Sequence, residues 1–281
     1  MPLIVFEGAC VAVVALTLFT MRRARGTREL LRDYAILAVA AWVGEDSCIA
    51  LYHFYEYAPG WHLRLHHVPV LVPLIWPLVI LSARDVVSAL WPSPVLRVMR
   101  PVAVAALVAF DASLVEVVAV RGGLWSWAEP GHLGVPVIGI LGWGFFAAGA
   151  DIALSRGKPL LAILLAPVTA HALLITTWWA FFRWTARGAL GSTSLAGVVV
   201  VGVAAVAIVA IGRARRGATI PFAIAAPRMI AAALFVALLV SAAPTDLPLW
   251  VHAASVAVPY LAATAWPRRT SGSTSVSTRT C

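Results

Sequence analysis

The chain has 281 residues, of which 62% are hydrophobic and only 12% are charged, and its mean hydropathy is +0.92. Soluble domains are about 45–50% apolar and about 25% charged, so this composition excludes a water-soluble enzyme and a disordered chain. We therefore predict an all-α polytopic bundle of transmembrane helices.

Apolar segments that could cross a bilayer recur along the chain, since a crossing takes about 20 predominantly apolar helical residues. We predict a single transmembrane domain over residues 1–266 and a disordered polar tail over 267–281. The first segment is expected to be a retained span, because it lacks the basic region and cleavage site of a signal peptide. Seven or eight spans are alternatives to nine, because the eighth is short and could either extend over 220–227 or be only a partial span. The nine predicted spans are 2–21, 34–53, 68–90, 101–120, 135–154, 159–182, 194–212, 228–243 and 249–266.

Basic residues are concentrated in alternate connecting segments. One set of segments holds 16 Lys and Arg residues, whereas the opposite set holds 4. The positive-inside rule then predicts an external N-terminus and a cytoplasmic C-terminus in the cell's inner membrane. The net charge of +9 is thus interpreted as a topology signal and an attraction to anionic membrane lipids. A nucleic-acid partner is not predicted, and the oligomeric state is left open.

Two segments of the chain resemble each other. Residues 59–76 and 130–143 share a Pro-Gly turn and a Val-Pro-Val triplet, and in both a Trp follows the triplet's Pro by seven residues. At an offset of 66, Glu45 aligns with Asp111. A parallel repeat of two hairpins would place these two acids across one interface. Chance similarity in a chain rich in Pro, Trp and Val is the alternative interpretation.

Ionisable side chains lie within several predicted spans, where each costs about 2.5–3.5 kcal/mol to insert and by default indicates a functional site. Each carboxyl group among the candidates below could instead be a protonated acid that hydrogen-bonds two helices together. The candidate histidine, His171, could instead be a packing residue. Asp85 and Asp151 lie near span ends beside Arg84 and Arg156, and we expect them to form ion pairs there. The candidate catalytic residues are Glu45, Asp46, Asp111, Glu116 and His171.

Neither a metal nor a cofactor is predicted. The three Cys residues have no metal-type spacing. Three His residues between the second and third spans would match a zinc site in number, but no carboxylate lies at ligand spacing. These histidines are His62, His66 and His67.

Aromatic residues are the candidate substrate-binding groups, since aromatic faces attract a cation through the ring quadrupole. Ordinary packing and the aromatic belt at the membrane surface are the alternatives. Tyr52 is included because it shares a helical stripe with Glu45. The predicted set is Tyr52, Trp76, Trp125, Trp127 and Trp143.

A string of motifs over about residues 40–155 resembles the membrane-integral carotenoid biosynthesis protein family, which includes gamma-carotene and bisanhydrobacterioruberin hydratases. Where this family usually has Asp-Pro, the chain has Val115-Glu116. The matching motifs are Glu45, Tyr55-Glu56-Tyr57, Val68-Pro69, Trp76-Pro77, Asp111-x-x-Leu114-x-Glu116, Gly123-Leu124-Trp125-Ser126-Trp127, Gly134-Val135-Pro136 and Gly142-Trp143.

The resemblance implies an enzyme that protonates a terminal C=C of a carotenoid or other long isoprenoid and adds water to the cation. It implies general acid–base chemistry, for which we expect Glu45 and Asp111 to be the pair. Asp46 and Glu116 would support the pair and His171 would relay protons, while the lipophilic substrate would enter from the bilayer. A cyclase that uses the same cation, a transporter or carrier, and a structural membrane protein are the alternatives.

Overall fold

The computed structural model describes residues 1–23, 25–90, 96–129, 131–183, 202 and 220–264. Over these ranges the chain is predominantly helical, as predicted, and seven helical segments have the length and composition of membrane spans: α1–α5, α7, and α6 together with the turns on either side of it. A short 3₁₀ turn precedes α6 and a π-helical turn follows it. The eight helices are α1 (Leu3–Met21), α2 (Thr27–Tyr52), α3 (Leu71–Leu90), α4 (Leu96–Arg121), α5 (Val137–Ser155), α6 (Ala162–Thr177), α7 (Phe222–Ala242) and α8 (Leu247–Ala263).

Three helix starts differ from the prediction. α2 begins at Thr27 and α4 at Leu96, each several residues before the apolar run on which the prediction rested. Polar residues thus extend both helices. α7 begins at Phe222, so the extension of the short eighth span over 220–227 is confirmed. The predicted span 194–212 and the tail 267–281 lie outside the described residues.

Helices α2 to α5 form a central four-helix bundle. α6 packs against α2 and α5, α1 and α7 pack against α3, and α8 packs against α4. Small residues allow the helices to approach closely, as is typical of membrane bundles. A Cβ on Gly149 would lie 2.6 Å from the Leu165 carbonyl oxygen of α6, and one on Gly144 would lie 2.9 Å from the Ala105 carbonyl oxygen of α4.

The two helical hairpins, α2–α3 and α4–α5, are joined by a two-stranded antiparallel ribbon. Its strands are β1 (Tyr55–Tyr57), from the first hairpin, and β4 (Trp125–Trp127), from the second. Between β1 and α3, β2 (Arg64–Leu65) pairs with β3 (Val68–Pro69). Two equivalent strands in antiparallel register are what a two-fold relationship between the hairpins produces, so the predicted repeat has a structural counterpart. We call this end of the bundle the strand end.

Ion pairs tie the helices together at the end opposite the strands. Arg84 of α3 lies 2.8 Å from a carboxylate oxygen of Asp151 on α5, and Arg100 of α4 lies 3.4 Å from the same oxygen. Asp85 pairs with Arg25. Asp85 and Asp151 are therefore ion-paired as expected, but not with the arginines next to them in the sequence: Asp85 pairs with Arg25 of the α1–α2 connection, and Asp151 with arginines of α3 and α4.

Candidate active site

An internal cavity of about 90 Å³ lies between the two hairpins near the strand end. It has room for a few water molecules, since each takes roughly 30 Å³ in the liquid. Aromatic and aliphatic side chains form most of its wall. The carboxyl groups in the wall are those of Glu45, from α2, and Glu116, from α4.

Three aromatic side chains donate hydrogen bonds to Glu45. The hydroxyl groups of Tyr55 and Tyr57 both donate to Oε2, the latter at 2.9 Å, and Trp76 Nε1 donates to Oε1 at 2.8 Å. The tyrosines alternate on strand β1, so both side chains lie on the same face of the ribbon. Burial, together with the nearby Glu45 charge, raises the pKa of Tyr55 and Tyr57 well above the usual value, so both remain hydrogen-bond donors.

Three indole groups donate to Glu116, which is only 3% exposed. Trp125 Nε1 and Trp127 Nε1, from strand β4, donate to Oε2 at 2.9 and 3.2 Å. Trp143 Nε1, from α5, donates to Oε1 at 2.5 Å.

Glu116 is thus the structural counterpart of Glu45. In each hairpin an acid on the first helix accepts from two alternate aromatics of a strand and from a Trp on the second helix. Glu45 and Glu116 are 71 residues apart, whereas Trp76 and Trp143 are 67 apart. The connections differ in length, so no single offset aligns the two hairpins. The alignment of Glu45 with Asp111 at an offset of 66 is therefore wrong.

Asp111 faces a different cavity, of about 360 Å³. It lies five residues from Glu116, which is roughly 140° around an α-helix, so the two side chains leave α4 in different directions. The Asp111 carboxylate accepts from Arg228 Nη1 at 2.5 Å and from the hydroxyl group of Tyr260. The expectation that Glu45 and Asp111 share one chamber is wrong.

The family model described as "Carotenoid biosynthesis protein" matches residues 1–211. The chain belongs to this family. The matched part contains both acids of the small cavity and all six of their aromatic donors, while Arg228 and Tyr260 lie beyond it. No curated protein and no solved structure matches the chain.

Asp46 and His171 lie outside the cavity wall of this carotenoid biosynthesis protein. The Asp46 carboxylate accepts hydrogen bonds from His66 Nδ1 at 2.9 Å and from the backbone N–H of His67 at 3.1 Å. These two bonds fix the β2–β3 connection to α2. The His171 ring hydrogen-bonds to Ser47 Oγ and to the Tyr52 hydroxyl, both at 2.8 Å. Tyr52 is not in the wall either, whereas the four other predicted aromatics, Trp76, Trp125, Trp127 and Trp143, all are.

The histidines between α2 and α3 contact carboxylates that are distant in the sequence. His62 contacts Glu7 of α1 through its backbone N–H at 2.9 Å and through Nδ1 at 2.6 Å. This contact fastens the loop after β1 to α1. Among the described residues, no group of three or more His, Cys, Asp or Glu side chains is placed to hold a metal ion.

Four residues that the structure places at these sites have no predicted role from the sequence. Tyr55 and Tyr57 are matched by Trp125 and Trp127, and the shared aromatic-x-aromatic pattern was the available signal. Arg228 was counted as a topology charge and Tyr260 was passed over. An arginine inside the otherwise apolar α7 was the signal there, because a buried charge needs a partner.

Proposed function

We propose that the protein hydrates a terminal C=C of a carotenoid or other long isoprenoid. The observation that carries the proposal is the pair of carboxyl groups, Glu45 and Glu116, on one small aromatic cavity. Acid-initiated hydration needs one carboxyl group to donate a proton and a second group to activate water. The cavity supplies both, and membership of the carotenoid biosynthesis family indicates the class of substrate.

The hydrogen-bond donors differ between the two acids, and this difference assigns their roles. A tyrosine hydroxyl rotates and either donates or accepts, so Tyr55 and Tyr57 accommodate Glu45 in both its protonated and its ionised form. An indole N–H only donates, so the three tryptophans around Glu116 match a carboxylate that accepts. We therefore assign the general acid to Glu45 and the general base to Glu116.

The reaction balances with these two groups and one water molecule. The Glu45 carboxyl O–H breaks as its proton forms a C–H bond with the less substituted alkene carbon, using the π electrons. The other carbon becomes a tertiary cation. Water oxygen bonds to that carbon while Glu116 accepts a water proton, and the product is a tertiary alcohol. The proton returns from Glu116 to Glu45 through cavity water and the tyrosine hydroxyls.

The cavity wall is suited to the cation. Five indole rings line it together with the two tyrosines, those of Trp61, Trp76, Trp125, Trp127 and Trp143. Such faces attract a positive charge within about 6 Å of the ring centroid. The substrate is a hydrocarbon dissolved in the bilayer, so an active site between membrane helices lets it enter from the lipid without crossing water.

Isotope labelling tests the proposal. Membranes that contain the protein are incubated with lycopene in ¹⁸O-labelled water under unlabelled oxygen gas, and the pigments are analysed by mass spectrometry. We expect a hydroxylated product whose oxygen comes from water. An oxygen-free isomer of lycopene would indicate a cyclase, and an oxygen derived from the gas would overturn hydration. Membranes with Glu45→Gln provide the matched control.

A further inference from the structure

The larger cavity is separate from the proposed reaction site. Side chains of α1, α3, α4, α5, α7 and α8 line it, and its volume of about 360 Å³ falls within the range of about 300–1,000 Å³ for ligand pockets. Ile75, Val115, Trp143 and Phe235 border both cavities and form the partition between them.

One charged cluster interrupts the largely apolar wall of this cavity, which also includes Thr17, Ser82 and Thr264. Arg228 Nη1 donates to Asp111 Oδ2 at 2.5 Å and to the Tyr260 hydroxyl at 2.6 Å, while that hydroxyl donates to Asp111 Oδ1. The side chains of Arg228 and Asp111 are only 13% and 16% exposed. The cluster is therefore a buried ion pair whose three members come from α4, α7 and α8.

The Arg228 guanidinium has hydrogen-bonding capacity that these contacts do not use. Its Nε and Nη2 atoms are buried and have no hydrogen-bond partner among the described residues. Burying an N–H group without an acceptor is costly, and a polar group left this way in a folded protein calls for an explanation. These two nitrogens have almost no accessible surface, but Arg228 lines the cavity, and a turn of its guanidinium would bring their N–H groups to an oxygen atom of a bound molecule.

The net charge of the Arg228–Asp111 pair determines which kind of ligand oxygen it can bind. Asp111 already balances the positive charge of Arg228, so the pair is neutral overall. An anionic phosphate or carboxylate would bring an uncompensated charge into an apolar cavity, which is unfavourable. A hydroxyl or carbonyl oxygen accepts the same hydrogen bonds without that cost.

We propose that the large cavity binds a neutral oxygenated lipid, an apolar chain of a few isoprene units that carries a hydroxyl or carbonyl group, with Arg228 donating to its oxygen. The apolar wall holds the chain and the free N–H groups select the oxygen. This proposal does not depend on the hydration chemistry, because Asp111, Arg228 and Tyr260 are not part of the wall of the Glu45–Glu116 cavity.

A binding experiment with three ligands of equal chain length tests the proposal. The purified full chain in detergent is titrated with farnesol, farnesene or farnesyl diphosphate, and the bound ligand is measured by native mass spectrometry and by quenching of tryptophan fluorescence. We expect farnesol to bind at least about tenfold more tightly than farnesene, because one hydrogen bond to a charged donor provides about that gain in affinity. Equal binding of these two ligands, or tighter binding of the diphosphate, would overturn the proposal.

Two variants connect the preference to Arg228. Arg228→Lys keeps the positive charge beside Asp111 but removes the guanidinium N–H groups, so it should fold with a near-normal melting temperature and lose the preference for farnesol. Tyr260→Phe removes a neighbouring hydroxyl group and keeps those N–H groups, so it should retain the preference. If folded Arg228→Lys still prefers farnesol, the assignment of Arg228 is wrong.

Discussion

Trp76 and Trp143 stack with 3.9 Å between their ring centroids and an interplanar angle of 18°, and each donates its indole N–H to a different carboxyl group. One aromatic pair thus contacts both Glu45 and Glu116 in the wall of a common cavity. Because the two rings come from α3 and α5, the stack also connects the two hairpins. The position of one acid therefore depends on the packing of the other.

The tyrosine hydroxyls should matter for proton transfer from Glu45. The double variant Tyr55→Phe, Tyr57→Phe keeps the rings but removes both hydroxyl donors. General acid–base contributions are about 10²–10⁴-fold, so we expect product formation to fall by at least about tenfold. The measurement is hydroxylated pigment per amount of solubilised protein.

Tyr34→Phe is the matched control for this pair, because its hydroxyl donates to the Leu74 carbonyl oxygen at 2.9 Å and is not part of the cavity wall. Product formation by the control should stay near the wild-type level. An equal loss in the control and the double variant would show that the effect is not specific to Glu45.

A methyl group at Gly139 should disturb the Glu116 site. An added Cβ there would lie 2.5 Å from the Trp127 ring, so the ring must move and its hydrogen bond to Glu116 weakens. We expect Gly139→Ala to lower product formation while the protein remains membrane-inserted and monodisperse in detergent. Gly8→Ala, on α1 and outside the cavity wall, would meet no atom within 4 Å and should leave activity almost unchanged. The opposite order of the two variants would contradict the role of Trp127.

The ion pairs at the end opposite the strands should support stability rather than catalysis. Asp151→Asn leaves Arg84 buried without its carboxylate, and breaking a buried pair in this way typically costs about 3–5 kcal/mol. We expect a clearly lower melting temperature in detergent. Arg156→Gln tests the partner predicted from the sequence, and an unchanged melting temperature is expected. A large loss on changing Arg156 would restore the sequence-based pairing.

The sequence was sufficient to predict the helical membrane fold and most of the aromatic site. The length of the apolar segments located the spans. The free-energy cost of burying a carboxyl group in a membrane indicated that Glu45 and Glu116 needed an explanation. The sequence was not sufficient to pair the acids, because a fixed offset ignores the different lengths of the connections between the helices. The sequence also did not reveal the role of Arg228. A charged residue near the end of a span is interpreted as part of the basic residues that set the topology, unless its partner on another helix is known.

Substitution of the two acids tests the central claim most directly. Glu45→Gln, Glu116→Gln and the neighbouring Asp46→Asn are each expressed in a lycopene-producing bacterium, and hydroxylated pigment is measured per amount of folded protein. We predict that each glutamine variant loses at least about a hundredfold of the product while Asp46→Asn retains most of it. Wild-type product levels with Glu45→Gln or Glu116→Gln would contradict the proposed chemistry.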